Sequence, residues 1–205
     1  ENGSSTFFAI VIGLSAIFGW QAWTGSQTEK QQAGSALYQD MVEALVLVKT
    51  PGDEEKHANT VRHLGDQLIT EYPGLLYAQF AALAIAKLDV DKGNLPEAAE
   101  GLQWVVSQSS DESLRNVAKV RLARVFSAQD KYDDALVLLS GQMDSSISSL
   151  AEEVKGDIYS LMGEAFEARM AYQRSIDVAT SNGAQKDRLV QMKLDDLAPA
   201  DLASE

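Results

Sequence analysis

The chain has 205 residues, four prolines, 14 glycines and no cysteine, and its formal charge at pH 7 is −13. Without thiols it cannot depend on disulfides, use thiol catalysis or build thiolate metal sites. The acidic balance makes a poor match to nucleic acid and to an anionic lipid leaflet, and so little Pro and Gly argues against a linker-rich or disordered chain.

Phe7 to Trp23, FFAIVIGLSAIFGWQAW, is an uncharged apolar run, and apart from Glu1 every charged residue lies beyond it. A hydrocarbon core of about 30 Å needs roughly 17–25 helical residues at ~1.5 Å each. With the flanking Thr6 and Thr24 the run just reaches across. A cleavable signal peptide needs a basic start and a small-residue cleavage site. ENGSST has neither Lys nor Arg, and Trp20 and Trp23 stand where small residues belong. A core helix would show a polar face, whereas only Ser15 is polar between Phe7 and Trp20. The run therefore predicts a single-pass anchor over 1–24, embedded in lipid through Phe7, Phe8, Ile10, Val11, Ile12, Leu14, Ile17 and Phe18. Trp20 and Trp23 fit the interfacial aromatic belt. The chain opens at Glu1 without Met, so residues that would set orientation by positive charge are expected ahead of it. Past the anchor Lys30 is the sole basic residue before Lys49, a scarcity that favours an N-in, C-out arrangement.

Residues 25–200 predict one all-α domain, followed by a short tail over 201–205. Apolar residues recur at three- and four-residue spacing, and turn signals fall between helix-length blocks. Helices are predicted near 26–49, 54–71, 75–92, 95–108, 111–128, 131–141, 146–162, 165–180 and 184–196. The first can continue from the anchor, since 27–32 contains no breaker, and Ser110 or Asp111 can cap the fifth.

Three segments repeat: KGNLPEAA (92–99), QDKYDDAL (129–136) and LMGEAFEA (161–168). Each is a polar turn leading to an alanine, at Ala98, Ala135 and Ala168. Their separations bracket the ~34-residue period of the tetratricopeptide helix–turn–helix. Ala86, Ala123 and Gly156 precede these alanines at one common spacing, so two small residues face each other across each hairpin. Leu102, Leu139 and Tyr172 follow one turn later as the large fillers between hairpins. Glu71-Tyr72-Pro73 closes an earlier unit whose partner helix comes from about 36–49. Because no single hairpin buries its own apolar face, stacking is required. The predicted fold is all-α, a single N-terminal transmembrane helix followed by a tetratricopeptide-like α-solenoid of helical hairpins.

The anchor with tandem Trp, then Tyr38, the segment ESLRNVAKVRLARV (112–125) and the terminal KDRLVQMKLDDL (186–197) resemble the YfgM family, ancillary subunits of the bacterial SecYEG translocon. The strongest pieces are RLAR at 121–124 and QMK at 191–193. The resemblance implies a bacterial inner-membrane protein with its N-terminus cytoplasmic and a periplasmic tetratricopeptide-like domain. It also implies association with SecYEG subunits and with a membrane-anchored periplasmic chaperone.

Chemistry is sparse. Asp89, Asp91, Glu97 and Glu100 imitate a calcium loop, but Gly93 stands at a ligand position and Asn94 where the loop needs its Gly. His57 and His63 fall on different sides of a helix. The adjacent pairs Asp133-Asp134, Glu152-Glu153 and Asp195-Asp196 point about 100° apart and cannot share a proton. No phosphate loop, nucleophile elbow or HExxH is present, so neither catalysis, nor a cofactor, nor a metal, nor a small-molecule substrate is expected. What remains is a surface. The first helices of tetratricopeptide hairpins line the concave side, which places Phe80, Leu83, Lys87, Val117, Val120, Arg124, Leu150, Glu153 and Asp157 there. This candidate partner groove is basic at one end and acidic at the other, suited to an extended peptide or a helix. Leu83, Val120 and Leu150 could equally fill a tightly curved core, and Trp104 is expected between helices. Three roles remain open: a scaffold docking the translocon and chaperones, a holdase for emerging polypeptides, and an envelope-assembly or cell-division adaptor.

Overall fold

The computed structural model describes residues 3–183 and 187–197, with the side chains of 3–19 and of Ala22 outside the described set. Among the described residues all regular structure is helical: α1 (Gly3–Leu47), α2 (Glu54–Glu71), α3 (Leu76–Lys92), α4 (Leu95–Gln108), α5 (Glu112–Ala128), α6 (Tyr132–Leu139), α7 (Ser145–Leu161), α8 (Ala165–Ser181) and α9 (Arg188–Asp196). The chain divides into two compact units, Glu1–Ala81 and Ala82–Glu205.

In the first unit α1 carries the backbone unbroken across residues 24–25, and its C-terminal part pairs with α2. Met41 and Ala44 of α1 and Ala58, Val61 and Leu68 of α2 are buried. Gly34 lets the α2–α3 connection lie close, because a Cβ there would come within 2.6 Å of Leu75 Cδ1. Among the described residues no helix is long and apolar enough to cross a membrane. The side chains of Phe7, Phe8, Ile10, Val11, Ile12, Leu14, Ile17 and Phe18 lie outside the described residues, as do residues 201–205 of the predicted tail. Of the ten side chains predicted to meet the bilayer, only Trp20 and Trp23 are described; both are exposed, with ring centroids 5.5 Å apart.

The second unit contains α3 from Ala82 onward with α4, the hairpins α5–α6 and α7–α8, and then α9. Ala86, Ala98, Ala123, Ala135, Gly156 and Ala168 are all buried. Leu102, Leu139 and Tyr172 fill the space between helices, each at most 3 % exposed, which contributes about 1.5–3 kcal/mol per side chain. Val120, Ala123, Ala135, Leu139, Ala151, Val154 and Ile158 form one continuous core cluster. Ala168, Tyr172, Ile176 and Val190 form a second, which joins α9 to α8.

The repeat is also written in the turns. α3, α5 and α7 each end with the same pair of backbone bonds. Gly93, Asp130 and Gly163 donate to Val90, Ser127 and Ser160, and Asn94, Lys131 and Glu164 donate to Asp89, Phe126 and Tyr159. This is the Schellman pattern, which requires a left-handed residue after the helix. Gly93, Asp130 and Gly163 meet it with φ of 79°, 60° and 78°. The residues that mimic a calcium loop therefore belong to the end of α3, its turn and the start of α4.

Boundaries shift where local bonds decide them. α1 stops at Leu47 rather than 49, because Val48 and Thr50 turn back onto Leu45 and Leu47. α6 stops at Leu139, where the Ser140 hydroxyl donates to the Val137 carbonyl at 2.7 Å. Asp111 caps α5 by accepting from the Leu114 N–H at 2.9 Å. The last helix runs from Arg188, with Asp187 at its N-cap accepting from the Leu189 N–H; residues 184–186 of the predicted span lie outside the described residues.

Two stability outcomes follow from this geometry. Gly93→Ala should cost about 1 kcal/mol, since a Cβ meets no neighbour there but is forced into the left-handed region. Asp130→Gly should have the opposite sign, a gain of about 0.5 kcal/mol, when compared in a Tyr132→Phe background that already lacks the Tyr132 hydroxyl bond to Asp130 Oδ1, because Asp tolerates that region only partly. Urea unfolding that moved both midpoints the same way would defeat this account. At Gly156 a Cβ would overlap the Tyr172 ring, so Gly156→Ala should cost about 1–3 kcal/mol. In a Tyr172→Ala background most of that cost should vanish; an equal cost in both backgrounds would exclude the clash as its cause.

A candidate partner groove

In the second unit α3, α4 and α5 enclose a pocket of about 330 Å³. Its apolar lining comes from Leu83, Ala86 and Val90 of α3, Leu95 and Leu102 of α4, and Val125 and Ala128 of α5. Lys87 and Asp91 stand on the α3 side, Arg121 and Arg124 on the α5 side. Lys87 is paired within its own helix, its Nζ 2.6 Å from Asp91 Oδ2 across one turn. Arg121 and Arg124 are exposed and have no ion-pair or hydrogen-bond partner among the described residues.

Of the residues predicted to line a groove, the structure brings Leu83, Lys87 and Arg124 to this pocket. Val120 lies in the core at 1 % exposure, and Leu150 packs, half-buried, against the same core cluster. The core reading therefore holds for these two, and Leu83, 7 % exposed, is buried as well as lining the pocket. Val117 is half-buried on α5. Phe80 belongs to the first unit, where its ring centroid lies 6.0 Å from that of Tyr38, which also stacks on Tyr77 at 5.2 Å. Trp104 is half-buried.

The predicted acidic end is closed by α9. Lys193 Nζ donates to Glu153 Oε1 at 2.8 Å and to Asp157 Oδ1 at 2.7 Å. The Tyr172 hydroxyl donates to the same Asp157 oxygen at 2.8 Å. Both carboxylates are thus engaged within the fold, and the expectation of a free acidic end is corrected: the ammonium that meets them comes from the far end of the sequence. Neighbouring Glu152 is held by Lys155 and by Arg174, whose Nε is 2.6 Å from Glu152 Oε2.

A family model of tetratricopeptide repeat-like domains matches residues 1–199. The chain belongs to the tetratricopeptide repeat-like family. Curated relatives align nearly end to end. A Haemophilus influenzae protein is 27 % identical over 96 % of this chain and 91 % of its own length. One from Aggregatibacter actinomycetemcomitans is 28 % identical over 96 % and 91 %, and one from Escherichia coli is 26 % identical over 97 % and 90 %. All three are named ancillary SecYEG translocon subunit, the YfgM-type protein that the RLAR and QMK segments resemble.

Sequence reasoning about this tetratricopeptide repeat-like chain missed Arg121, Tyr172 and Lys193 as site residues. Arg121 was legible, since Val117, Arg121, Arg124 and Ala128 follow four-three-four spacing and so share one helix face. Lys193 carried no local signal, lying 36 and 40 residues from its partners.

The Lys193 cluster makes stability depend on pH. Partial burial of Lys193 disfavours its charge, but the bonds to Asp157 and Glu153 outweigh this and raise its pKa. Burial, then the bond to Asp157, raises that of the Tyr172 hydroxyl. For Glu152, burial pushes upward, yet Lys155 and Arg174 win and lower it. A raised folded-state pKa contributes stability that is complete below the unfolded value and lost above it. For Tyr172 and Lys193 that loss begins past about pH 10. Glu152 contributes above about pH 4.3, and its share is lost as pH falls. Lys193→Met should therefore lower the melting temperature at pH 8 and narrow the gap to wild type by pH 11. Parallel melting curves for the two proteins across that range would refute the assignment.

Proposed function

We propose that the chain is a non-enzymatic adaptor of the bacterial inner membrane that associates with Sec translocon subunits and a membrane-anchored periplasmic chaperone during export. The observation that carries this is the end-to-end likeness to proteins named ancillary SecYEG translocon subunit. A repeat fold of a protein-interaction type and an accessible pocket of mixed apolar and cationic lining agree with it.

In this reading residues 1–24 anchor the chain through the apolar run Phe7–Trp23, and the body over 25–200 faces the periplasm. The tether confines the body to a thin layer beside the membrane and raises its effective concentration for partners held there. Docking then needs only modest intrinsic affinity. Leu83, Lys87 and Arg124 are the part of the predicted groove that would meet the partner.

Capture of the full chain from membranes in mild detergent should bring down SecYEG subunits. Retention of those subunits after residues 7–23 are exchanged for an unrelated span would assign the contact to the body, and their loss would assign it to the anchor. Absence of translocon subunits from the wild-type capture would sink the proposal. Alkaline phosphatase fused after Glu205 should be active, and an inactive fusion with intact expression would reverse the orientation.

A further inference from the structure

We infer that the pocket between α3 and α5 binds a polypeptide segment in which an apolar side chain is flanked by carboxylates, with Arg121 and Arg124 supplying the charge recognition. The inference rests on the adaptor reading and names the chemistry of the partner segment.

Charge distribution is the first argument. The protein carries −13 overall, yet α5 bears Arg115, Lys119, Arg121 and Arg124 against Glu112 alone. Arg115 is occupied, its guanidinium donating to the Ser109 carbonyl at 2.7 Å. Arg121 and Arg124 instead stand at the pocket edge, exposed and without a partner among the described residues. Lys155, Arg174 and Lys193 each engage a carboxylate of the fold. With Lys87 and Asp91 cancelling one another, the rim holds two uncompensated guanidiniums. A guanidinium is a planar, weakly hydrated fork that matches a carboxylate bidentately.

The second argument is shape. Leu83, Val90, Leu102 and Val125 give the pocket an apolar floor, and its volume of about 330 Å³ lies at the small end of ligand clefts, which run to ~1,000 Å³. It suits one or two aliphatic side chains. A docked segment would bury an apolar side chain on that floor and set acidic neighbours against α5. An anionic lipid headgroup shares the charge but not the need for an apolar recess between helices. The chain's net negative charge also opposes close approach of the body to an anionic bilayer.

The test uses the full chain in detergent and a short, acetylated and amidated fluorescent peptide of Leu, Asp and Glu. Its twin carries Asn and Gln in place of Asp and Glu. Fluorescence polarisation should show the acidic probe binding at least about tenfold tighter than the amide twin, the scale of one charge-assisted contact. The preference should weaken with salt. Arg121→Gln with Arg124→Gln should abolish it without moving the melting temperature, since both side chains are exposed. Arg121→Glu with Arg124→Glu should bind a Leu–Lys probe better than the acidic one. Equal binding of the acidic and amide probes, an unchanged preference in the Gln variant, or displacement of the probe by phosphatidylglycerol vesicles but not by unlabelled acidic peptide would each overturn the inference. If the wild type binds the acidic probe yet captures no translocon subunit, the adaptor reading fails and this inference survives. Translocon capture that persists in a wild type indifferent to probe charge gives the reverse.

Discussion

The absence of side-chain volume where the two helices of a hairpin meet is the constraint on which the second unit depends. Ala86 and Ala98, Ala123 and Ala135, Gly156 and Ala168 are small so that backbones can approach, and all are buried. A Cβ added at Gly101 would meet the Ala82 carbonyl and Ala86 Cβ at 3.7 Å, so the α3–α4 contact is already close. Close helices in turn permit a reversal short enough to be made by one left-handed residue. Spacing and turn conformation are therefore two aspects of one condition: with bulkier residues at the crossing, the six-to-one bond that ends each first helix would no longer lead the chain directly into its partner.

The third hairpin shows how that condition can be met differently. Where the first two hairpins have Ala and Leu, it has Gly156 and Tyr172, and the space a Cβ would occupy is filled by the tyrosine ring. Removing a methyl from one helix thus admits a larger filler from the other at conserved packing. The larger filler also brings a hydroxyl, which must be satisfied once buried. Asp157 accepts from it, and Lys193 balances Asp157. The choice of glycine at 156 thereby propagates to the ion cluster that fastens α9. Among the described residues that helix is what covers the outer face of the third hairpin. Val190, with Leu194 and Leu197 beside it, supplies the apolar cover.

What could be read from the amino-acid order divides along this line. Helices, their pairing and the repeat were legible because they are set by residues within a few turns of each other. α2 and α4 run over the expected residues, and the small and large positions of all three hairpins lie inside. The deviation is equally local: α6 is shortened where the Ser140 hydroxyl bonds back to Val137. The candidate groove was legible only in part. Counting along α5 put Val120 and Arg124 on one face, as their four-residue spacing requires, but it had no access to which of the two the neighbouring helices bury. The ammonium opposite Glu153 and Asp157 lies on another helix altogether, and periodicity has no access to such a partner.

That difference has a chemical consequence. Acidic residues on α7 and basic residues on α5 look equivalent in sequence, each a charged position on the first helix of a hairpin. In the folded second unit they are not equivalent. The α7 carboxylates are part of the internal bracing, where removal of Lys193 would leave two partly buried like charges without compensation. The α5 guanidiniums at the pocket brace nothing among the described residues. Exposed and solvated, they remain available beside an apolar recess to a carboxylate from outside the fold. In an otherwise acidic molecule this distinguishes one small surface from the rest, and it does so by sign as well as by shape.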